Sequence, residues 1–586
     1  MDQKKYNLIM ASLLHDLGKI VIRACPGKGT HSKAGAEFLE QFISDNPLFL
    51  RPVEYHHAHV LKHLNAASDD ISYIVYEADN IAASTDRRKN DEDNSTSFNP
   101  ETALENVFNA FSGNGTNTVF PLTALLQNGK LYYPELKGTI KATSAEYTKL
   151  LQELESNFKR CAPDLMNPNE MLQILEAIAS FIPSSTATDE AADISLYDHQ
   201  KLTAAIAACL YDYFNDKGIE DYKTYCFTDK VQQLRAENTY LLASGDLSGI
   251  QKFIYTIPSA GALKSLRGRS FYLDILLENI IDELLEHLNL TRANLLYSGG
   301  GNFYVLLPNT NTVKELLKDL QEKINKWFLK QWGSGLYLSL GWAECSGDDF
   351  RVNDTNRLGV VYKSVRDKIS QDKHCRYSIH DLQDLFTADS EINKTQDHSK
   401  ECSICHNSSL ALVDYGDGAQ ACPLCKSLRD LGECLLKGDV LAVFDAPACD
   451  RISVELPGMA KSSFLSVYNL DEVEECCLNA TRIYTKNIMY TGSLMATRLW
   501  MGDYVTKDKH GKVMDFRELV EMTGGSSESS GIKRLGILRA DVDNLGAAFM
   551  AGLPLRYNTI GRTAALSRQL SLFFKCYINV LCDGML

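Results

Sequence analysis

A phrase that occurs twice constrains this chain most. Ala243 to Leu307 reads as a short strand carrying Asp246 and a helix from about Lys264 to Leu288. Two apolar strands, 294–297 and 303–307, then flank Ser298-Gly299-Gly300-Gly301-Asn302. Apolar runs this short, bounded by glycine, predict a β-hairpin, and strand, helix, hairpin is the front half of a ferredoxin-like palm. A helix over 312–328 and a strand over 335–343 complete β-α-β-β-α-β. The glycine-rich tip lets backbone approach a phosphate closely. Near the C-terminus, Leu538 to Phe549 echoes the segment around Asp246, and Leu566 to Ser571 echoes Leu266 to Ser270. A repeat in matching order implies one palm and the beginning of another. The first palm's hairpin offers Gly-Gly-Asn and no acid, so it is not expected to hold a catalytic metal by itself. Ser346-Gly347-Asp348-Asp349-Phe350 looks like a polymerase-type acidic turn but follows the last strand. It reads as a helix cap and first turn, where acids suit the helix dipole.

The N-terminal region, to about residue 105, is expected to be helical. The apolar run Leu8–Leu14 leads into His15-Asp16-Leu17-Gly18-Lys19; His31, Tyr55-His56-His57-Ala58-His59 and Glu77-Ala78-Asp79-Asn80 follow. Imidazoles and carboxylates from separate helices can converge on a divalent metal, which makes hydroxide available near neutral pH to attack a phosphodiester. Of the clustered histidines His56 is taken as the ligand; His57, His59 and His63 are read as including solvated or structural side chains. Asp198-His199, in a predicted amphipathic helix over 195–214, has no such partners nearby in sequence and reads as a packing or surface pair.

Two C-x-x-C knuckles, Cys402/Cys405 and Cys422/Cys425, have sixteen residues between them. That spacing predicts a closed four-thiolate zinc site stapling a small, loop-rich insertion. His406 is a competing ligand that the site does not need. Sixteen cysteines in all favour metal binding or buried thiols over disulfides in a reducing compartment. No run is long and apolar enough for a transmembrane helix and the first residues lack a signal-peptide core, so a cytoplasmic protein without membrane contact is expected. A net charge of −15 argues against a free-standing, non-specific nucleic-acid binder, though not against a subunit whose basic partners meet the phosphates.

The fold class expected is therefore α+β and multidomain. A helical domain spans 1–105, a helical linker region 106–235, the first palm 236–390, a zinc-bearing mixed α/β region 391–530, and the start of a second palm 531–586.

In this order, His15-Asp16, D-L-S-G-I-Q-x-F at Asp246–Phe253, G-G-G-x-F at Gly299–Phe303, the two C-x-x-C knuckles and R-A-D-V-D-N-L-G at Arg539–Gly546 resemble the large subunit of type III-A (Csm-type) CRISPR effector complexes. The resemblance covers nearly the whole chain. It implies a circularly permuted HD nuclease domain that cuts single-stranded DNA with a transition metal such as Mn²⁺ or Ni²⁺, held by His15, Asp16, His31, His56 and Asp79. It also implies a palm pair that binds ATP with Mg²⁺ or Mn²⁺ and makes cyclic oligoadenylates when target RNA is engaged. Asp541 and Asp543 match the acidic strand of the family's second palm, Ser270 and Gly299–Gly301 its nucleotide-facing positions, and Cys402, Cys405, Cys422 and Cys425 its zinc knuckles. Implied partners are the other subunits of such a complex, guide and target RNA, single-stranded DNA and ATP. Gly299 follows Asp246 by 53 residues, and the same interval from Asp541 reaches 594, beyond Leu586. The family's Gly-Gly-Asp-Asp hairpin is thus absent, and a piece of a longer chain is expected. The competing readings are a catalytically silent scaffold subunit and a stand-alone HD-type nucleotide phosphohydrolase.

Overall fold

The computed structural model describes residues 1–27, 29–43, 46–83, 97–111, 115–125, 132–257, 261–351, 355–390, 393, 400–408, 411–416, 418–490, 492–522, 534–538, 542 and 544–584. The N-terminal bundle consists of α1 (Gln3–Leu14), α2 (Gly18–Ala24), α3 (His31–Leu39), α4 (Pro47–Glu54) and α5 (Ser72–Ala82). Asp2 starts α1 by accepting a hydrogen bond from the Lys5 amide at 2.8 Å, satisfying a first-turn donor that has no helical partner. Leu8 to Leu14 is buried along its length, as expected of a helix at a bundle's centre rather than on its surface.

Two further helices, α6 (Ser144–Arg160) and α7 (Pro168–Ala179), precede α8 (Leu196–Lys217). Thr143 and Glu146 close a capping box on α6, and Pro168 opens α7 at a position where its missing N–H costs nothing. α8 starts at the Ser195 cap and stops at Gly218, left-handed at φ 64°. It packs against α1 and α5 on one side and the palm sheet on the other, so the linker region contributes a helix to the N-terminal bundle.

The palm sheet has the order β2 (Leu295–Gly299), β3 (Asn302–Pro308), β1 (Tyr240–Ser248), β4 (Tyr337–Cys345), antiparallel throughout. With α9 (Ala262–His287) after β1 and α10 (Asn311–Trp332) after β3, this is the ferredoxin-like arrangement the repeated phrase predicts. α11 (Arg357–His374) lies against β1 and β4. The acidic turn after β4 is a single 3₁₀ turn in which Ser346 and Asp349 cap one another, as read from the sequence.

The knuckle region is a hairpin, β5 (Val413–Gly416) and β6 (Ala419–Ala421), followed by α12 (Pro423–Cys434). α12 crosses α9 with the backbones touching. A Cβ on Gly268 would lie 1.8 Å from the Leu428 carbonyl oxygen, and one on Gly432 1.9 Å from that of Lys264. Glycine at both positions is what this crossing requires. Arg267 donates to the Gly432 carbonyl at 2.9 Å across the same contact.

A second sheet runs β8 (Val454–Leu456), β9 (Ser463–Tyr468), β7 (Val440–Phe444), β10 (Arg482–Lys486), β11 (Thr497–Leu499), antiparallel except between β10 and β11. It gives the motif-poor stretch between the knuckles and the second palm an order that its sequence did not suggest.

At the second palm, α13 (Ile560–Leu572) lies across the edge of the first palm, with Ser567 donating to the Leu296 carbonyl on β2 at 3.2 Å. Residues 534–538 form no strand. A strand needs a neighbour to bond, and none pairs with this segment among the described residues. Asp541 and Asp543 lie outside the described residues. Among those that are described, no helix is long and apolar enough to cross a membrane.

Candidate metal centre

His15 ends α1, Asp16 sits in the turn to α2, His31 opens α3, His56 and His57 follow α4, Asp79 is on α5, and His199 is in the first turn of α8. Gly18 brings the first of these together. A Cβ there would lie 1.8 Å from the His31 carbonyl oxygen and 2.6 Å from the Gly35 nitrogen, so the glycine of H-D-L-G-K is what lets α2 meet α3 and His31 reach Asp16.

Asp16 is the hub. Its Oδ1 is 3.1 Å from His31 Nε2 and 3.6 Å from His56 Nε2; its Oδ2 is 3.4 Å from His15 Nε2 and 3.3 Å from His199 Nε2. Asp79 Oδ1 lies 3.5 Å from His15 Nε2 and 3.0 Å from His199 Nε2. His31 Nε2 is 3.3 Å from His56 Nε2 and 2.9 Å from His57 Nε2. The side chains thus form two adjoining groups, His15/Asp16/Asp79/His199 and His31/His56/His57. Within each, one ligating atom per residue lies within 4.8 Å of the others. His15 Nδ1 donates to the Ser12 carbonyl at 2.8 Å and His56 Nδ1 to that of Val53 at 2.7 Å. Both rings are held so that Nε2 faces inward, the usual support for a ligating imidazole.

Burial opposes a proton on His15, but the carboxylates of Asp16 and Asp79 outweigh it and raise its pKa to about 9. Burial would raise Asp16, yet Lys19, 2.5 Å away, and His15 hold it well below the usual carboxylate range. Burial pushes His31 down to about 4 and lowers His56, a direction that favours the unprotonated rings a cation needs. The centre fits divalent cations on an independent ground as well. His15 Nε2, Asp16 Oδ1 and His199 Nε2 are buried atoms that make no hydrogen bond among the described residues, an arrangement that is costly unless something else satisfies them.

The five residues named from the sequence all converge here. Sequence reasoning missed His199 and passed over His57. His199 is 3 % exposed and its Nε2 lies among the ligating atoms of His15, Asp16 and Asp79, so it is not a surface side chain and does have His and Asp partners in space. Its signal was present: Asp198, His199 and Gln200 are three consecutive polar residues that the helix buries together, and buried polar groups need partners.

The four cysteine sulfurs Cys402, Cys405, Cys422 and Cys425 also lie within 4.8 Å of one another. Arg269 donates to Cys425 Sγ at 3.1 Å, a contact that favours thiolate. His406 is exposed and pairs with Glu401 at 3.0 Å.

A cavity of about 580 Å³ opens between the hairpin tip, α8, β11 and the residues after α13; Ser298, Gly299, Gly300, Lys201, Glu278 and Lys575 are among those lining it. Gly301 turns the hairpin at φ 83° and, like Ser270 on α9, is not part of the lining. On the first palm's own strands, Asp246 stands opposite Asn302 in register, and Lys373 of α11 places its ammonium 2.6 Å from Asp246 Oδ1. Positive charge at that carboxylate is therefore supplied by the chain itself.

A buried histidine–aspartate centre for divalent cations, joined to a palm sheet with a second palm helix against it, defines an HD-type hydrolase unit fused to a palm pair. Residues 3–84 match the family model for the HD domain, 239–388 that for Csm1 subunit domain B, and 534–585 that for the second palm domain of Cas10/Cmr2. The chain belongs to the Cas10/Csm1 family of subtype III-A CRISPR systems. It is 36% identical over 606 residues to the single-strand-specific deoxyribonuclease Cas10/Csm1 of Enterococcus italicus, covering 99% of this chain and 76% of that protein. It is 34% identical to the protein of the same name from Mycobacterium tuberculosis, covering 99% and 74%. The crystal structure of a Csm1–Csm4 subcomplex of the type III-A interference complex superposes with a TM-score of 0.72 at 25% identity, covering all of this chain and 70% of that one. A Csm1–Csm4 cassette in complex with cA3 gives 0.71 at 25% identity and the same coverage.

Proposed function

We propose that this chain is the large subunit of an RNA-guided type III-A complex, with a metal-dependent single-strand DNase in its N-terminal bundle and a nucleotide site between its palms. The observation that carries the first half is Asp16, whose two carboxylate oxygens face two separate histidine groups. His15, Asp16, Asp79 and His199 would hold one divalent cation, and His31, His56 and His57 would hold a second; Mn²⁺ or Ni²⁺ suits such nitrogen and oxygen donors. A cation bound there supplies a water of lowered pKa to the phosphodiester. The Ser12 and Val53 carbonyls keep Nε2 of His15 and His56 turned toward the cations, and Lys19 holds Asp16 ionised. The named relatives are single-strand-specific deoxyribonucleases, which supports single-stranded DNA as substrate.

At the palms, the hairpin tip and Lys575 face a cavity of a size that suits a nucleotide, and solved relatives hold cA3 or ATP. ATP with Mg²⁺ or Mn²⁺ binds there in this reading, with Asp541 and Asp543 as the carboxylates of the second palm and Ser270 and Gly301 supporting the site from the first. A Csm4-type subunit, guide RNA and target RNA are the partners; the target is read by base pairing with the guide, so this chain needs no base-reading surface. The deciding experiment is to incubate the purified chain with labelled single- and double-stranded DNA, with Mn²⁺ and with chelator. Cutting confined to single strands and lost with chelator supports the reading; metal-independent cutting, or none in the assembled complex, sinks it.

The cysteine cluster holds structural zinc. Full-length protein is expected to carry about one zinc per chain, and Cys402→Ser with Cys422→Ser to lose it, read by elemental analysis. Full zinc in that double variant would refute the assignment.

A further inference from the structure

His199 reaches the metal centre from the least secure part of its helix. It is the fourth residue of α8, its amide bonded to the Ser195 carbonyl at 3.0 Å. The body of α8 is locked by packing against α1, α5 and β3, but the first turn of any helix lacks half of its backbone bonds and depends on what caps it. Here the cap has a second layer, which comes from the other end of the chain. Arg568 on α13 donates through Nε to Asp198 Oδ1 at 2.7 Å and through Nη2 to Asp198 Oδ2 at 2.9 Å. The same Nη2 lies 3.3 Å from Ser195 Oγ and from the Ser180 carbonyl oxygen. Ser195 Oγ in turn donates to Asp198 at 2.8 Å and accepts from its amide at 3.0 Å. The side chains of Arg568 and Asp198 are 10 % and 3 % exposed.

A guanidinium near the positive end of a helix is opposed by the helix dipole. This one is held there by a forked, nearly dry bond to Asp198, the residue next to His199. A fork of that kind fixes orientation as well as distance.

We propose that Arg568 is a positioning residue for the metal centre: it pins the first turn of α8 and so holds His199 toward Asp16 and Asp79. The second-palm helix thereby sets the completeness of the nuclease's ligand set, and the two ends of the chain share one site. This rests on reading the His15/Asp16 group as a Mn²⁺ site, and the test separates the two.

Mn²⁺ binding to the full-length chain is titrated by electron paramagnetic resonance, and the fraction lost in His15→Ala/Asp16→Ala defines the centre. If the wild type shows no such fraction, the function proposed above is what fails. Given that fraction, Arg568→Gln is expected to weaken it about tenfold, the scale seen when a residue supporting a metal ligand is removed. DNA cleavage should return at high Mn²⁺ with kcat little changed, because the ligand is displaced rather than deleted. Arg568→Lys, which keeps the charge but cannot fork, should fall between the two and decides the matter if the glutamine variant does not fold. Arg562→Gln is the control: it removes the neighbouring bond from α13 to Asp193, 2.7 Å long, without touching the first turn of α8. Wild-type Mn²⁺ affinity in both Arg568 variants would overturn the proposal. So would an equal loss in Arg562→Gln, which would reduce the effect to general docking of α13.

Discussion

Asp16→Asn should lose single-strand DNA cleavage by about a thousandfold or more, and no added Mn²⁺ should restore it. The substitution keeps the size of the side chain and removes the carboxylate whose two oxygens face the two histidine groups. Several kcal/mol of metal-derived stabilisation go with it, and each 1.4 kcal/mol is a factor of ten. His199→Ala should do less, about 10- to 100-fold, because the second group keeps its ligands. Cutting rates measured across a Mn²⁺ series distinguish the two. An Asp16→Asn protein that still cuts within tenfold of wild type would mean the reacting cations sit elsewhere.

The second large effect is on stability. Arg292 donates to Asp282 at 2.8 and 3.0 Å and to Glu278 at 2.7 Å, with all three side chains at or below 13 % exposed. Tyr484 from the second sheet bonds Asp282 at 2.6 Å, and Ser298 from the hairpin bonds Glu278 at 2.7 Å, so the cluster ties both sheets to α9. Arg292→Met removes the cation bonded to both buried carboxylates, leaving Glu278 only the more distant Lys575 at 3.9 Å, and breaking such a group by removing one partner costs about 3–5 kcal/mol. The pH dependence carries a sign. Burial would raise the Glu278 pKa, but Arg292 and Lys575 hold it below its usual value. In the wild type the resulting stability is present above the unfolded pKa and lost as pH falls through the lowered one. In the variant burial dominates, the carboxyl protonates at higher pH, and acid relieves part of the penalty. The gap in denaturation midpoint between variant and wild type should therefore narrow from pH 7 to pH 5; a gap that widened would contradict the assignment of charge.

How much could be read in advance depended on sequence distance. The palm was legible because its elements follow one another: the hairpin tip, the glycines and the flanking apolar runs lie within one stretch and match the strand order found. His15, Asp16, His31, His56 and Asp79 lie within the first 79 residues and share a recognisable phrase. His199 follows Asp16 by 183 residues and sits behind a Ser195 cap, so locally it looks like any helix start; its partner arrives through tertiary packing alone. His57 was masked by its neighbour, since two adjacent imidazoles on a turn give no hint that both Nε2 atoms reach His31. The second sheet was illegible for another reason. Its strands are three to six residues long, and they pair in an order that does not follow the chain, so no single stretch of sequence carries the pattern.

The ammonium of Lys373 against Asp246 has a consequence for how the two palms respond to their surroundings. A counterion tethered to the chain has no dissociation constant: chelators do not remove it and magnesium scarcity does not empty it. The charge facing Asp246 therefore stays in place whatever the cell's free-cation level.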